Sequence, residues 1–149
     1  MKSINIRPFR NSDLSRVLDI FRLNTPSFFA PPEIKDLKEY LDQHQGTYCV
    51  LEYNSKIAGS GGYHIPDERT GRLSWFFFNP ELQGHGLGKA IVKHCLEELQ
   101  INHPNLESVE VWTSQYAEGF FSKFGFKTIR IEEDHWAKRI DLYLMKKQL

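Results

Sequence analysis

NPELQGHGLGKA, residues Asn79–Ala90, is the stretch whose reading decides the fold. It follows the apolar run Leu73–Phe78 (LSWFFF) and leads into a helical pattern over Gly86–Gln100, with Leu87, Ile91, Cys95 and Leu99 four apart. A buried strand, a Pro turn, glycines and a helix start together make a site for an anion. The first turn of a helix has unpaired N–H groups and a partial positive charge. Glycines let the main chain close on a phosphate without Cβ clashes. A cation in a first helical turn is locally unfavourable by roughly 0.3–1 kcal/mol. A bound polyanion reverses the sign for Lys89.

Two nucleotide motifs fail here. The phosphate loop of nucleotide hydrolases needs GxxxxGK and then Ser or Thr. In this chain Gln83 stands five before Gly88, and Ala90 follows Lys89, which leaves no hydroxyl for magnesium. The dinucleotide fingerprint GxGxxG fails as well, because Gly84, Gly86 and Gly88 read GxGxG.

Gln83, Gly86 and Gly88 do satisfy Q/R-x-x-G-x-G/A, between an apolar strand and a helix. This resembles the pyrophosphate-binding motif of the GNAT superfamily of acyl-CoA-dependent N-acyltransferases. Downstream, Ala117–Phe126 (AEGFFSKFGF) is similar to that superfamily's A-x-x-x-[FY]-x-x-x-G-F segment.

Around these motifs the chain alternates strands and helices. Ser3–Arg7 reads as a strand, and Asn11, Ser12 or Asp13 can cap a helix carrying Leu14, Val17, Leu18 and Phe21. TPSFFAPP breaks the pattern before a second helix with Ile34, Leu37 and Leu41. Thr47–Tyr53 and Lys56–Ile65 pair around Asn54-Ser55, and Gly59, Gly61 and Gly62 mark a bulge or a close backbone approach. DERTG (Asp67–Gly71) turns into the central strand Arg72–Asn79, whose apolar run asks for cover on both faces. After the motif helix come a strand Glu107–Thr113, a short helix Tyr116–Phe124, and strands Lys127–Glu132 and Arg139–Met145. The expectation is an α/β (α+β) domain over residues 1–149, with a mixed central sheet of about seven strands and about four helices. The resemblance covers nearly the whole chain and adds a V-shaped splay between the fourth and fifth strands.

At 149 residues, with Lys plus Arg (19) equal to Asp plus Glu (19), net charge offers no argument for nucleic acid or a membrane surface. Hydrophobic residues make up 40%, a globular value. The lack of a basic-then-apolar leader, or of roughly 18 consecutive apolar residues, argues for a cytoplasmic protein. Cys49 and Cys95 read as buried thiols, and without a CxxC or HxxxH pair no metal is expected.

The resemblance implies an N-acetyltransferase in which an acceptor amine, on a small molecule or a peptide, attacks acetyl-CoA directly. Carried over by position, Phe77, Phe78 and Asn79 line the pantetheine arm, and Gln83, Gly84, His85, Gly86, Leu87, Gly88 and Lys89 hold the pyrophosphate. Ser114 and Phe121 flank the arm from the other side. Relatives are often homodimers.

The chain also departs from the pattern. Arg72 stands where many members carry a glutamate, Phe121 where many carry a proton-donating tyrosine, and Ser114 where an asparagine is common. Either water or another hydroxyl, such as that of Tyr116, then protonates the thiolate. For the general base, Glu110 resembles the glutamate of ribosomal-protein N-terminal acetyltransferases, one residue short in spacing, and His64 is second. The replaced positions also motivate a rival reading, a non-catalytic acyl-CoA binding or sensing module. Phe28 and Phe29 either wall the acceptor site or plug the core, and Tyr63 and Trp136 suggest an aromatic wall.

Overall fold

In a computed structural model that describes residues 3–149, the chain forms a seven-stranded sheet in the order β1-β2-β3-β4-β5-β7-β6. The strands are β1 Ile4–Pro8, β2 Tyr48–Tyr53, β3 Lys56–Asp67, β4 Thr70–Phe78, β5 Ser108–Thr113, β6 Lys127–Ala137 and β7 Ile140–Gln148. Helices α1 (Leu14–Leu23) and α2 (Ile34–His44) precede the hairpins, α3 (Leu87–Asn102) joins β4 to β5, and α4 (Glu118–Ser122) follows β5. Among the described residues only β4 and β5 pair in parallel, with α3 as the crossover between them, and every other neighbouring pair is antiparallel.

The sheet is covered on both faces, as the apolar run of β4 requires. Leu87, Ile91, Cys95 and Leu99 of α3 meet Leu73, Val109, Val111, Phe121 and Met145 in one core. Val17, Ile20 and Phe21 of α1 with Leu37 and Leu41 of α2 meet Tyr48, Val50 and Phe77 in the other. Side-chain alternation in β4 is broken once. Pairing jumps from Ser60↔Phe77 to Gly62↔Ser74, so Gly61 opposes both Trp75 and Phe76, and Trp75 takes φ 58°. The Tyr48 hydroxyl, which donates to the Trp75 carbonyl at 2.7 Å, holds this bulge in place.

The glycines of β3 have a steric cause. A Cβ on Gly59 would lie 2.3 Å from the Phe78 ring, and one on Gly61 2.4 Å from the Phe76 ring. Two β4 rings therefore lie flat across β3.

Several boundaries differ from the expected ones. The turn expected over DERTG is shorter than its five residues, with β3 running to Asp67 and β4 starting at Thr70. The Asp67 carboxylate closes it by accepting from the Arg69 N–H at 2.8 Å. Glu133–Ala137 belongs to β6, and the register slips there around Asp134 (φ 51°). Asp13 lies in a short 3-10 turn before α1, where its carboxylate takes the Arg10 N–H and a two-pronged contact from Arg7.

Candidate active site

The β4–β5 pair is zipped for only part of its length. Its register runs from Thr70↔Ser108 to Leu73↔Val111 and stops, while β4 continues to Phe78 and β5 to Thr113. Past Leu73 the two strands diverge, and the edge of β4 that faces β5 has no ladder partner. The Asn79 N–H donates to the Ala58 carbonyl at 2.8 Å, toward β3. Backbone groups alternate sides along a strand, so Phe78 turns its N–H and C=O toward the fork. Asn24, buried at the end of α1, donates to that Phe78 carbonyl at 2.9 Å. It also donates to the Ile20 carbonyl at 2.9 Å. The sequence reading did not single out Asn24, and only its polar character after an apolar helix could have flagged it.

The glycine loop lies just beyond the open end of β4. Gly84 and Gly86 adopt φ 84° and 75°, with nothing within 4 Å of where a Cβ would stand. Gly86 is the N-cap of α3, and the first intrahelical bond runs from the Ala90 N–H to the Gly86 carbonyl at 3.1 Å. The amides of Leu87, Gly88 and Lys89 thus point out of the helix start. Gly88 is required for a different reason, since a Cβ there would lie 2.9 Å from the Phe120 ring. Gln83 and Lys89 are exposed and Leu87 is buried in the core. The His85 ring turns away to Tyr53, its Nδ1 3.2 Å from the hydroxyl. Lys89, Lys93 and Lys123 line a groove of about 390 Å³ between α3 and the end of α4. A larger groove of about 500 Å³ lies at the zipped end, around Asp67–Thr70 and Ser108, away from every motif residue.

The two base candidates sit at the apex of the fork, on the face covered by α1 and α2. Glu110 lies opposite Arg72, one pair before the zipping ends. Its Oε1 takes Arg72 Nε at 2.8 Å and Nη2 at 2.6 Å, and the guanidinium stacks over Trp112 at 4.5 Å. His64 is half-buried inside β3. Its Nδ1 lies 3.3 Å from Ser74 Oγ and 3.4 Å from the Tyr40 hydroxyl, and its ring stacks on His44 at 4.6 Å. Burial, helped by His44 and Arg72, pushes the imidazole down to about 4. His64 is therefore neutral at pH 7 and a weaker base than an ordinary imidazole, whose value near 6.5 would suit the role.

The aromatic residues divide the roles expected of them. Phe29 is a core residue, stacked on Trp75 at 6.1 Å and tilted against Phe21 at 5.1 Å. Phe28 is exposed and meets Tyr116 edge-on at 5.5 Å, which links the connection beside the end of β4 to the one after β5. The Phe77 ring points into the α1–α2 core and its main chain pairs with Ser60 of β3, so Phe77 borders the fork without turning a polar group to it. Phe121 packs against Phe76, Phe120 and Phe126, and Ser114 is buried. Tyr63, expected in an aromatic wall, is buried on the α3 face with its hydroxyl on Glu98. Trp136 donates to the Thr113 carbonyl at 3.0 Å and pins the β6–β7 hairpin beside the end of β5. Among the described residues no helix is long and apolar enough to cross a membrane.

Comparison with known proteins places this geometry among relatives. The profile of the acetyltransferase (GNAT) domain matches residues 24–149. An N-alpha-acetyltransferase of Sulfurisphaera tokodaii is 26% identical over 170 aligned positions, covering 97% of this chain and 92% of that protein. The crystal structure of Ard1 from Thermoplasma volcanium superposes with a TM-score of 0.81 at 17% identity, covering 98% of this chain and 97% of that one. N-acetylglutamate synthase from Neisseria gonorrhoeae, solved with coenzyme A and N-acetyl-glutamate, gives a TM-score of 0.75 at 16% identity. That match takes 99% of this chain but 35% of the synthase. At these identities the two solved structures testify to the fold.

Proposed function

This chain belongs to the GNAT acetyltransferase family and is an acyltransferase, and we propose that it transfers the acetyl group of acetyl-CoA to a primary amine by direct attack. The observation that carries the proposal is the parallel β4–β5 pair, which stops at Leu73↔Val111 directly below a glycine loop whose amides face outward. An extended pantetheine arm pairs with the free edge of β4, along Phe77, Phe78 and Asn79. The pyrophosphate lies on the amides of Gln83 to Lys89, and the Lys89–Lys93–Lys123 groove takes the remaining phosphate. Ser114 and Phe121 close the other side. The Phe78 N–H faces the thioester carbonyl, where one well-placed donor contributes about 3–4 kcal/mol at the tetrahedral stage.

In this mechanism the amine nitrogen bonds to the thioester carbon, the C–S bond breaks, and a proton leaves the nitrogen. Glu110 accepts that proton through Oε2, while Arg72 holds Oε1 and fixes the rotamer. The leaving thiolate has a thiol pKa of about 8.5, so it departs with a proton from water or from Tyr116 rather than from Phe121. His64, titrating at about 4, is too weak a base to carry the proton at pH 7 and serves to position neighbours.

The ionisation of the amine itself favours one acceptor class. A lysine-type amine, pKa about 10.4, is almost wholly protonated at pH 7, whereas an α-amine near 7.7–8.0 is already partly free. We therefore take the acceptor to be the N-terminal amine of a peptide or the α-amine of a small molecule. The N-alpha-acetyltransferase relative acts in the same sense. The test is thiol release from acetyl-CoA across a panel of peptides and free amines. N-terminal amines should outrun ε-amines at pH 7 and lose their lead as the pH rises. Coenzyme A binding without turnover on any amine would point instead to a non-catalytic acyl-CoA-binding module.

A further inference from the structure

On the sheet face opposite the fork's apex, a polar knot interrupts the α3 core. Cys49 of β2 is buried at 4% exposure, and His94 and Glu98 stand one turn apart on α3. One ligand atom from each of the three, the sulfur, a ring nitrogen and a carboxylate oxygen, falls within 4.8 Å of the other two. His94 Nε2 and Glu98 Oε2 are already 3.1 Å apart. The other carboxylate oxygen is fixed from behind, where Glu98 Oε1 accepts from the Tyr63 hydroxyl at 3.0 Å. Asn102 in turn donates to that hydroxyl at 3.3 Å. Cys95 of α3 is buried in the same core as Cys49. None of these side chains faces the fork or the glycine loop.

We propose that Cys49, His94 and Glu98 form a zinc site. In a tetrahedral centre with Zn–S about 2.3 Å and Zn–N or Zn–O about 2.0–2.2 Å, neighbouring donors stand about 3.3–3.6 Å apart. The nitrogen–oxygen pair is at nearly that spacing, and the sulfur closes the triangle with a shift of about 1 Å. Thiolate, imidazole and carboxylate together suit zinc, whereas magnesium and calcium take oxygen ligands. Tyr63 and Asn102 supply the outer hydrogen bonds that orient a ligating carboxylate. The His94 and Glu98 side chains are 37% and 35% exposed, which leaves an entry path and a fourth position for water. Binding releases the Cys49 thiol proton to solvent, and His94 presents Nε2 to the metal with its proton on Nδ1. The metal then ties α3, whose first turn opens at the glycine loop, to β2. This runs against the expectation of no metal, which rested on the absence of CxxC and HxxxH pairs. Here the ligands come from two segments far apart in the chain.

The test uses the untagged full chain, stripped with chelator under reductant and titrated with Co²⁺ and then Zn²⁺. A sulfur-to-cobalt charge-transfer band that saturates at one equivalent and is displaced by Zn²⁺ is expected. Cys49→Ser should abolish the band and Cys95→Ser should keep it. His94→Ala, at a part-exposed position that folding tolerates, should weaken zinc binding at least about tenfold. No band in the unmodified chain, a band that survives Cys49→Ser, or unaltered zinc affinity in His94→Ala overturns the site.

Discussion

The two ends of the β4–β5 pair differ in how they spend their backbone. From Thr70 to Leu73 the strands are zipped to Ser108–Val111, and Arg72 and Glu110 face each other across the ladder with two short contacts. From Ser74 onward the same strand has lost its neighbour, carries a bulge at Trp75, and turns the Phe78 N–H to an empty edge. A strand edge left open inside a covered sheet is costly unless something pairs with it. In the proposed function the closed end is the scaffold and the open end the binding surface, and the residue at their junction, Glu110, is where that division is most easily broken.

Glu110→Gln is the sharpest attempt. If Glu110 takes the proton, turnover at pH 7 should fall about 100-fold, with acetyl-CoA affinity unchanged. Arg72→Met is the companion. Should Glu110 serve only as a clip for the closed end, both single variants and the double variant would show the same loss, in stability rather than in turnover. A double-mutant cycle on kcat and on unfolding free energy separates the two outcomes. At the open end, Gly86→Val forces a β-branched residue into φ 75° at the N-cap of α3. That strain, about 1–3 kcal/mol, should appear as a KM for acetyl-CoA raised about 10- to 100-fold while kcat holds. An unchanged KM would mean that the loop does not hold the cosubstrate.

Much of the open end was legible because its signals are local. Gln83, Gly86 and Gly88 declare a turn and a helix start within a few residues, and the spacing of Leu87, Ile91, Cys95 and Leu99 declares the buried face of α3. The glycines of β3 announced a close approach, and the Phe76 and Phe78 rings proved to be what approaches. The closed end was not legible, since whether Arg72 meets Glu110 depends on a register between strands separated by a whole helix. The same limit hid the split between Phe28 and Phe29, the bond from Asn24 to Phe78, and the burial of His64. Periodicity also could not see that Glu133–Ala137 stays in β6, because the register slip between Glu132 and Ala137, with Asp134 at positive φ, breaks the alternation inside the strand.

Asn24 gives a smaller test at the point where scaffold and open end meet. Its amide donates to Ile20 and to Phe78 from a 7% exposed position. Asn24→Ala should cost about 2 kcal/mol of stability, by leaving buried carbonyls unpaired. It should also raise the KM for acetyl-CoA, because the free edge of β4 is no longer held straight. A thermal-unfolding loss with an unmoved KM would show that the edge needs no such tether.

The mildest test is of pH, through His64 beside the closed end. Its ring is surrounded by Tyr40 and His44 of α2, Arg72 of β4 and, at longer range, Glu110 of β5. Burial lowers its folded value to about 4, against about 6.5 in the unfolded chain. The unfolded chain therefore binds the proton first as pH falls. Above pH 6.5 both states hold the neutral ring and His64 contributes no pH dependence. Between about 6.5 and 4 stability should drop and level off below that; the full shift corresponds to about 3 kcal/mol, which solvent screening of the half-buried ring reduces to about 1–2 kcal/mol. His64→Gln should flatten this part of the curve when unfolding is followed in urea across the same range. The activity profile of the unaltered chain should show no inflection near 6.5 that His64→Gln removes. If it does, His64 titrates in the working site, and the closed end takes part in the chemistry through more than Glu110.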